Sequence, residues 1–136
     1  HWFIIGYGGD EDLIRRKIAE AGVGDCVTIL GKRVNPYPYI ARCDLYVQPS
    51  RYEGRCVTVR EAQLLGKPPV IAAWPTAPSQ VRDGTDGFIL PQSNEAFAAG
   101  LARLTASPDL IAGVARNLSA TDFSDRAAAR KLVSLI

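Results

Sequence analysis

Two glutamates eight residues apart, Glu53 and Glu61, are the side chains whose type and spacing best suit chemistry. Glu53 stands beside Gly54 in a segment punctuated by Pro49, Ser50 and Gly54, which reads as a loop. Glu61 stands in a segment of helical pattern, with Val57, Ala62 and Leu65 near one face and Gly66 and Pro68 to stop it. With the helix starting near Cys56, Glu61 stacks over Val57 and Thr58 on one side of its first turns. Those turns carry backbone N–H groups without intrahelical partners and about half a positive charge, an environment that suits a phosphate. Glu61 can then accept hydrogen bonds from a diol about one ribose away. Glu53 points across the loop at whatever the phosphate carries. The competing reading is a pair of solvated surface glutamates. The agreement of glycine loop, helix start and flanking strands weighs against it.

The elements that position this pair are apolar runs on either side. Leu45–Gln48 reads as a buried strand and Val70–Ala73 as the next one. The unit is therefore strand, glycine loop, helix, strand, which predicts an α/β fold with a parallel sheet. In such sheets the loops at the carboxyl ends of the strands are where ligands bind. Upstream, Trp2–Ile5 reads as a buried strand. Gly6, Gly8 and Gly9 turn the chain, and Asp10 is placed as an N-cap. Leu13, Ile14, Ile18 and Ala21 form a helix face that ends at Gly22 and Gly24. Val27–Leu30 is a second strand, followed by a loop with Lys32 and Arg33. Asn35–Tyr39 leads into a short helix ending near Cys43.

Downstream, the proline-stiffened loop Trp74–Gln80 follows the strand at Val70. Gly84–Gly87 is a turn and Gly87–Leu90 an edge strand. From Asn94 the chain is helical and Ala-rich, with breaks at Ser107–Pro108 and near Thr121–Asp122. This tail carries no chemistry and covers a face of the sheet.

Composition removes several function classes. The 136 residues form one domain with a real core, 47% apolar and 22% charged, as in soluble globular proteins. A net charge of +2 gives no case for nucleic acid. No apolar stretch reaches membrane-spanning length, and no signal peptide is visible. Cys26, Cys43 and Cys56 lack metal-ligand spacing and read as free thiols of a reducing compartment. The single histidine is His1, so no Ser-His or Cys-His relay is available. There is no metal-ligand cluster, no Asp-x-Asp and no Walker loop. The glycines after the first strand do not make a dinucleotide fingerprint, because Glu11 occupies the place of the third. A chain that begins at His1 and contains no methionine is expected to be part of a longer product.

Ser50–Pro69 resembles the Glu-x7-Glu signature of retaining GT-B glycosyltransferases of the large family 4, or group 1, type. The likeness runs in order through Ile4–Gly9, Val27–Gly31, Asn35–Ile40, Asp44–Ser50, Gly66–Pro68 and Asp83–Pro91. Arg51–Thr58 and Pro75–Gln80 look most like bacterial polysaccharide-assembly members.

The resemblance implies a Rossmann-like parallel sheet with flanking helices. It makes residues 1–136 an incomplete C-terminal nucleotide-sugar-binding domain, with the first βα unit and the N-terminal acceptor domain missing. It implies a doubly wound strand order, hence Val27–Leu30, Trp2–Ile5, a break or forced pairing, Leu45–Gln48, Val70–Ala73 and the edge near Phe88. The donor would be a UDP- or GDP-sugar, with no cofactor and no metal. The sugar would pass with retention to a glycan or lipid-linked acceptor. The protein would be cytoplasmic, with peripheral association at the inner face of the membrane.

Carried over residue by residue, amides near Val57 and Thr58 hold the phosphates and Glu61 the ribose. Glu53, with Gly54 and the amides of Arg55 and Cys56, holds the donor hexose. The backbone at Arg33 lines the base, and Gly8 joins the donor contacts. In relatives the loop Trp74–Gln80 lies near the donor sugar or the domain cleft, which makes Thr76, Ser79 and Gln80 weak contact candidates. Relatives also set an Arg and a Lys near the end of the first strand against the diphosphate. Their absence here makes the chain alone an expected non-catalyst, with Arg55 as a partial substitute. Two alternatives stay open: a sugar-nucleotide epimerase of the same fold, and a non-catalytic nucleotide-binding module.

Overall fold

A computed structural model describes residues 1–121 and 123 of the chain. They fall into two compact units, His1–Pro38 and the described residues from Tyr39 onward.

The first unit is a βαβ hairpin of parallel strands. Strand β1 (Trp2–Ile5) pairs with β2 (Val27–Gly31), Trp2 opposite Val27 and Ile4 opposite Ile29, with an irregularity before Ile5. Helix α1 (Glu11–Glu20) connects them. It ends where the glycine pattern predicts. Gly22 takes a left-handed φ of 65°, and the amides of Gly22 and Val23 return to Ala19 and Ile18. Gly reaches that conformation without a Cβ penalty.

Two expectations change here. Asp10 occupies the N-cap position, but its side chain makes no capping hydrogen bond. Strand β1, expected to be buried, leaves Phe3 57% exposed and Trp2 39% exposed. Within its unit a two-stranded sheet meets one helix that buries no side chain, too little surface to cover both faces.

The second unit opens with a short helix α2 (Tyr37–Ile40), whose first residues still belong to the first unit, and contains a parallel sheet of three strands. These are β3 (Tyr46–Gln48), β4 (Pro69–Ala72) and β5 (Phe88–Leu90), with β4 in the middle. The register sets Val47 opposite Val70 and Val70 opposite Phe88. All four residues of β4 are buried, as a continuous apolar run in a parallel sheet requires. Pro69 stands at the strand's first position, where a missing N–H is tolerated. Within each sheet the neighbours are those expected, and the described residues form two separate sheets.

Helix α3 (Val57–Leu64) joins β3 to β4 and ends at Gly66, φ 69°, with Lys67 N–H on Ala62 and Gly66 N–H on Gln63. Its buried face is Val59, Ala62 and Gln63, not the expected Val57, Ala62 and Leu65. Val57 is 67% exposed and Leu65 37%. The polar Gln63 hid the true period. It is buried because its amide donates to the carbonyls of Gln80, 3.3 Å, and Asp86, 3.2 Å.

Helices α4 (Asn94–Thr105) and α5 (Pro108–Ala120) complete the core with Phe97, Leu104, Val114 and Leu118. Ser93 caps α4 through Ala96 N–H, and Pro108 opens α5 at the break expected there. The rest of the expected helical tail lies outside the described residues.

Candidate functional site

At the carboxyl edge of the three-stranded sheet, side chains tie three successive loops together. The loop after β3 runs from Pro49 to Cys56. The loop after β4 contains a 3-10 turn, Ala77–Ser79, anchored by the buried Trp74. Thr76 Oγ1 donates to the carbonyl of Glu53 at 2.7 Å. Gln80 Oε1 accepts the Cys56 N–H at 3.1 Å. Beyond β5, Gln92 Nε2 donates to the carbonyl of Arg51 at 2.7 Å. Two segments far away in sequence, the loop after β4 and the chain beyond β5, thereby hold one short loop and the start of α3.

Glu53 is half-buried and its carboxylate is fixed. Ser50 Oγ donates to Glu53 Oε1 at 2.8 Å, and Gln48 Nε2 lies 3.4 Å from the same oxygen. Glu61 is half-buried on α3, one turn from Val57 and Thr58, both of which are exposed. Cys56, the N-cap residue, makes no capping bond to the first turn, so that end of the helix opens toward solvent without a side-chain cap.

Tyr46 links the strand before the loop to the start of α3. It alternates with Gln48 on one face of β3, and its hydroxyl sits 2.5 Å from Gln48 Oε1 and 2.7 Å from Thr58 Oγ1. Burial pushes the Tyr46 hydroxyl up to about 12. The bond to Thr58 opposes the rise, and Cys56, Glu61 and Glu53 add to it.

Among the sequence-derived candidates, Glu53, Gly54, Arg55, Cys56, Val57, Thr58 and Glu61 all gather at this edge. Arg55 is exposed and, with Cys56, Val59, Arg60, Gln63 and Gln80, lines a recess of about 10 Å³. The amide of Cys56 already has Gln80 as its partner. Gly8 and Arg33 lie in the first unit, in the loops after β1 and β2. In that unit Lys32 Nζ stands 4.8 Å from the centre of the Tyr7 ring.

The weak contact candidates of the second loop have internal partners: Thr76 and Gln80 as above, and Ser79 on the carbonyl of Thr76. Tyr46, Gln48 and Gln63 escaped the sequence reading. Alternation along Leu45–Gln48 was the available signal, since it puts Tyr46 and Gln48 on the same face as each other.

The cysteines are unpaired, and burial pushes the Cys43 thiol up. Among the described residues no three His, Cys, Asp or Glu side chains converge as a cation site would require. Among them, too, no helix is long and apolar enough to cross a membrane.

Comparison with known proteins gives a consistent result. The model of the family described as glycosyl transferases group 1 matches residues 1–120. The amylovoran biosynthesis glycosyltransferase AmsK of Erwinia amylovora is 29% identical, over 98% of this chain and 36% of that protein. The chain thus spans about a third of that curated relative's length. Among solved structures, HepE of Anabaena in complex with UDP is 26% identical, with a TM-score of 0.81. That match covers 97% of this chain and 40% of the other. Sucrose-phosphate synthase of Thermosynechococcus elongatus, 24% identical with a TM-score of 0.80 over 98% of this chain and 37% of its own, shares the fold.

Proposed function

Because the chain belongs to the group 1 glycosyl transferases, we propose that it binds the nucleotide diphospho-sugar donor of an enzyme that transfers the sugar to a glycan or lipid-linked acceptor. The observation that carries this reading is the pair of carboxylates bracketing the open start of α3. Both are half-buried at the carboxyl edge of a parallel sheet. The amides at Val57 and Thr58 take the diphosphate, where the helix end favours negative charge. Glu61 accepts from the ribose hydroxyls. Glu53, held by Ser50 and by Thr76 at its backbone, takes the donor hexose together with Gly54 and Arg55. The amide of Cys56 joins in only by leaving Gln80.

Catalysis in this reading is positioning plus stabilisation of charge on the departing diphosphate. Transfer with retention and without a metal completes the proposal. The likeness to a UDP-bound structure supports uridine as the base, and the likeness to AmsK supports a role in polysaccharide assembly. A lipid-linked acceptor puts the whole protein at the inner face of the cytoplasmic membrane.

The test uses the full-length protein and UDP. A carboxylate bonded to a ribose diol contributes about 1.5–3 kcal/mol, so Glu61→Ala weakens UDP binding by roughly one to two decades in calorimetry. Glu53→Gln lowers turnover of the UDP-sugar while free UDP still binds. Unchanged UDP affinity in Glu61→Ala, or unchanged turnover in Glu53→Gln, ends the reading.

A further inference from the structure

The hydrogen bonds around Tyr46 have one direction, and that direction can be worked out. Glu53 offers only acceptors as a carboxylate, so Ser50 spends its one proton on Glu53 Oε1, 2.8 Å away. Ser50 Oγ therefore accepts from Gln48 at 2.7 Å, and the Gln48 amide must turn its NH2 toward Ser50 and Glu53. Its carbonyl then faces Tyr46 and accepts from it. With its single proton spent, the Tyr46 oxygen accepts from Thr58 at 2.7 Å. Thr58 Oγ1 in turn accepts from the thiol of Cys56 at 3.1 Å. Flipping the Gln48 amide would set its carbonyl against the Glu53 carboxylate and leave one of the two acceptors without a donor. Six side chains thus form one donor chain that begins at the helix start and ends on Glu53.

We propose that Tyr46 is a positioning residue that transmits the side-chain arrangement at the start of α3 to the carboxylate of Glu53 through this chain. The proposal rests on the donor-binding reading above for its effect on catalysis, but the chain itself can be tested without ligand. One consequence is that the Thr58 hydroxyl is committed to Tyr46. A phosphate at the helix start then meets the Thr58 amide and not its hydroxyl donor.

Two measurements on the full-length protein test this. In the ligand-free protein, the side-chain amide resonances of Gln48 are followed by nitrogen-edited NMR. Thr58→Val, at an exposed position that does not bond to Gln48, is expected to shift them, and the shift is expected to vanish in a Tyr46→Phe background. Gln48 resonances indifferent to Thr58→Val, or equally sensitive with Tyr46→Phe present, overturn the chain.

In turnover, Tyr46→Phe is expected to lower kcat about two- to tenfold, the factor that one hydrogen bond's net worth allows, with KM for the UDP-sugar within about twofold. The loss is expected to disappear in a Glu53→Gln background, because Tyr46 acts only through Glu53. A loss of the same size in both backgrounds marks a merely structural role and overturns the proposal. If Glu53→Gln alone leaves turnover intact, the donor-binding reading has failed, and the resonance experiment still decides the chain.

Discussion

Removing the side chain of Gln80 tests how the site is built. Gln80 Oε1 is the partner of the Cys56 N–H, and Cys56 is only 7% exposed. Gln80→Ala leaves that amide without an acceptor at the first residue of the helix start. A buried amide stripped of its partner costs about 1–3 kcal/mol. Gln80 is half-buried and lines the small recess beside Cys56 and Gln63, so water entering the enlarged space offsets part of this. The expected loss of stability is about 1–2 kcal/mol, read from urea unfolding of the full-length protein. The backbone carbonyl of Gln80, which receives Gln63, is untouched. The loosened helix start is expected to weaken UDP binding about three- to tenfold by calorimetry. Gln80→Glu keeps an acceptor and is expected to recover most of the stability, though its charge opposes the diphosphate. If Gln80→Ala stays within the roughly 0.5 kcal/mol typical of surface changes, or Gln80→Glu is as unstable as Gln80→Ala, the cross-loop bond does not hold the site.

Further predictions concern the framework. A Cβ at Gly87 would stand 2.7 Å from Pro69 Cγ, 2.8 Å from the Pro69 carbonyl and 2.8 Å from Val81 Cγ1. All of these belong to buried residues, so Gly87→Ala is expected to cost about 1–3 kcal/mol or more in urea unfolding; a loss under about 0.5 kcal/mol contradicts this packing. The raised pKa of Tyr46 favours its neutral form in the folded state. Its contribution is full below the unfolded value of about 10 and is lost as pH rises toward 12, on the order of a few kcal/mol. Alkaline unfolding followed at fixed urea should show this loss in wild type and lack it in Tyr46→Phe; identical profiles would refute it. Ser93→Ala removes the α4 cap and should cost about 1 kcal/mol, with no effect on UDP affinity, because the cap lies on a helix that carries no proposed contact.

The sequence by itself determined the local elements. The run Val70–Ala73 needed only its apolar continuity to read as a buried strand, and β4 is buried along its whole length. Gly22 and Gly66 marked the ends of α1 and α3 because each takes a left-handed backbone that other residues resist. The sequence also placed Glu53 in the loop before α3 and Glu61 on the helix itself, where the structure has them.

Tertiary structure decided which polar groups hold that end. Gln80 reaches Cys56 across 24 residues of chain, Thr76 reaches Glu53 across 23, and Gln92 reaches Arg51 across 41. It also turned α3 so that Gln63, not Leu65, faces inward, and joined Tyr46 to Thr58. The physical reason is one of range. Strands and helices follow from the period of neighbouring side chains and from backbone preferences carried by single residues. A side-chain hydrogen bond between loops depends on strand register and helix rotation, which are fixed only when the whole core packs.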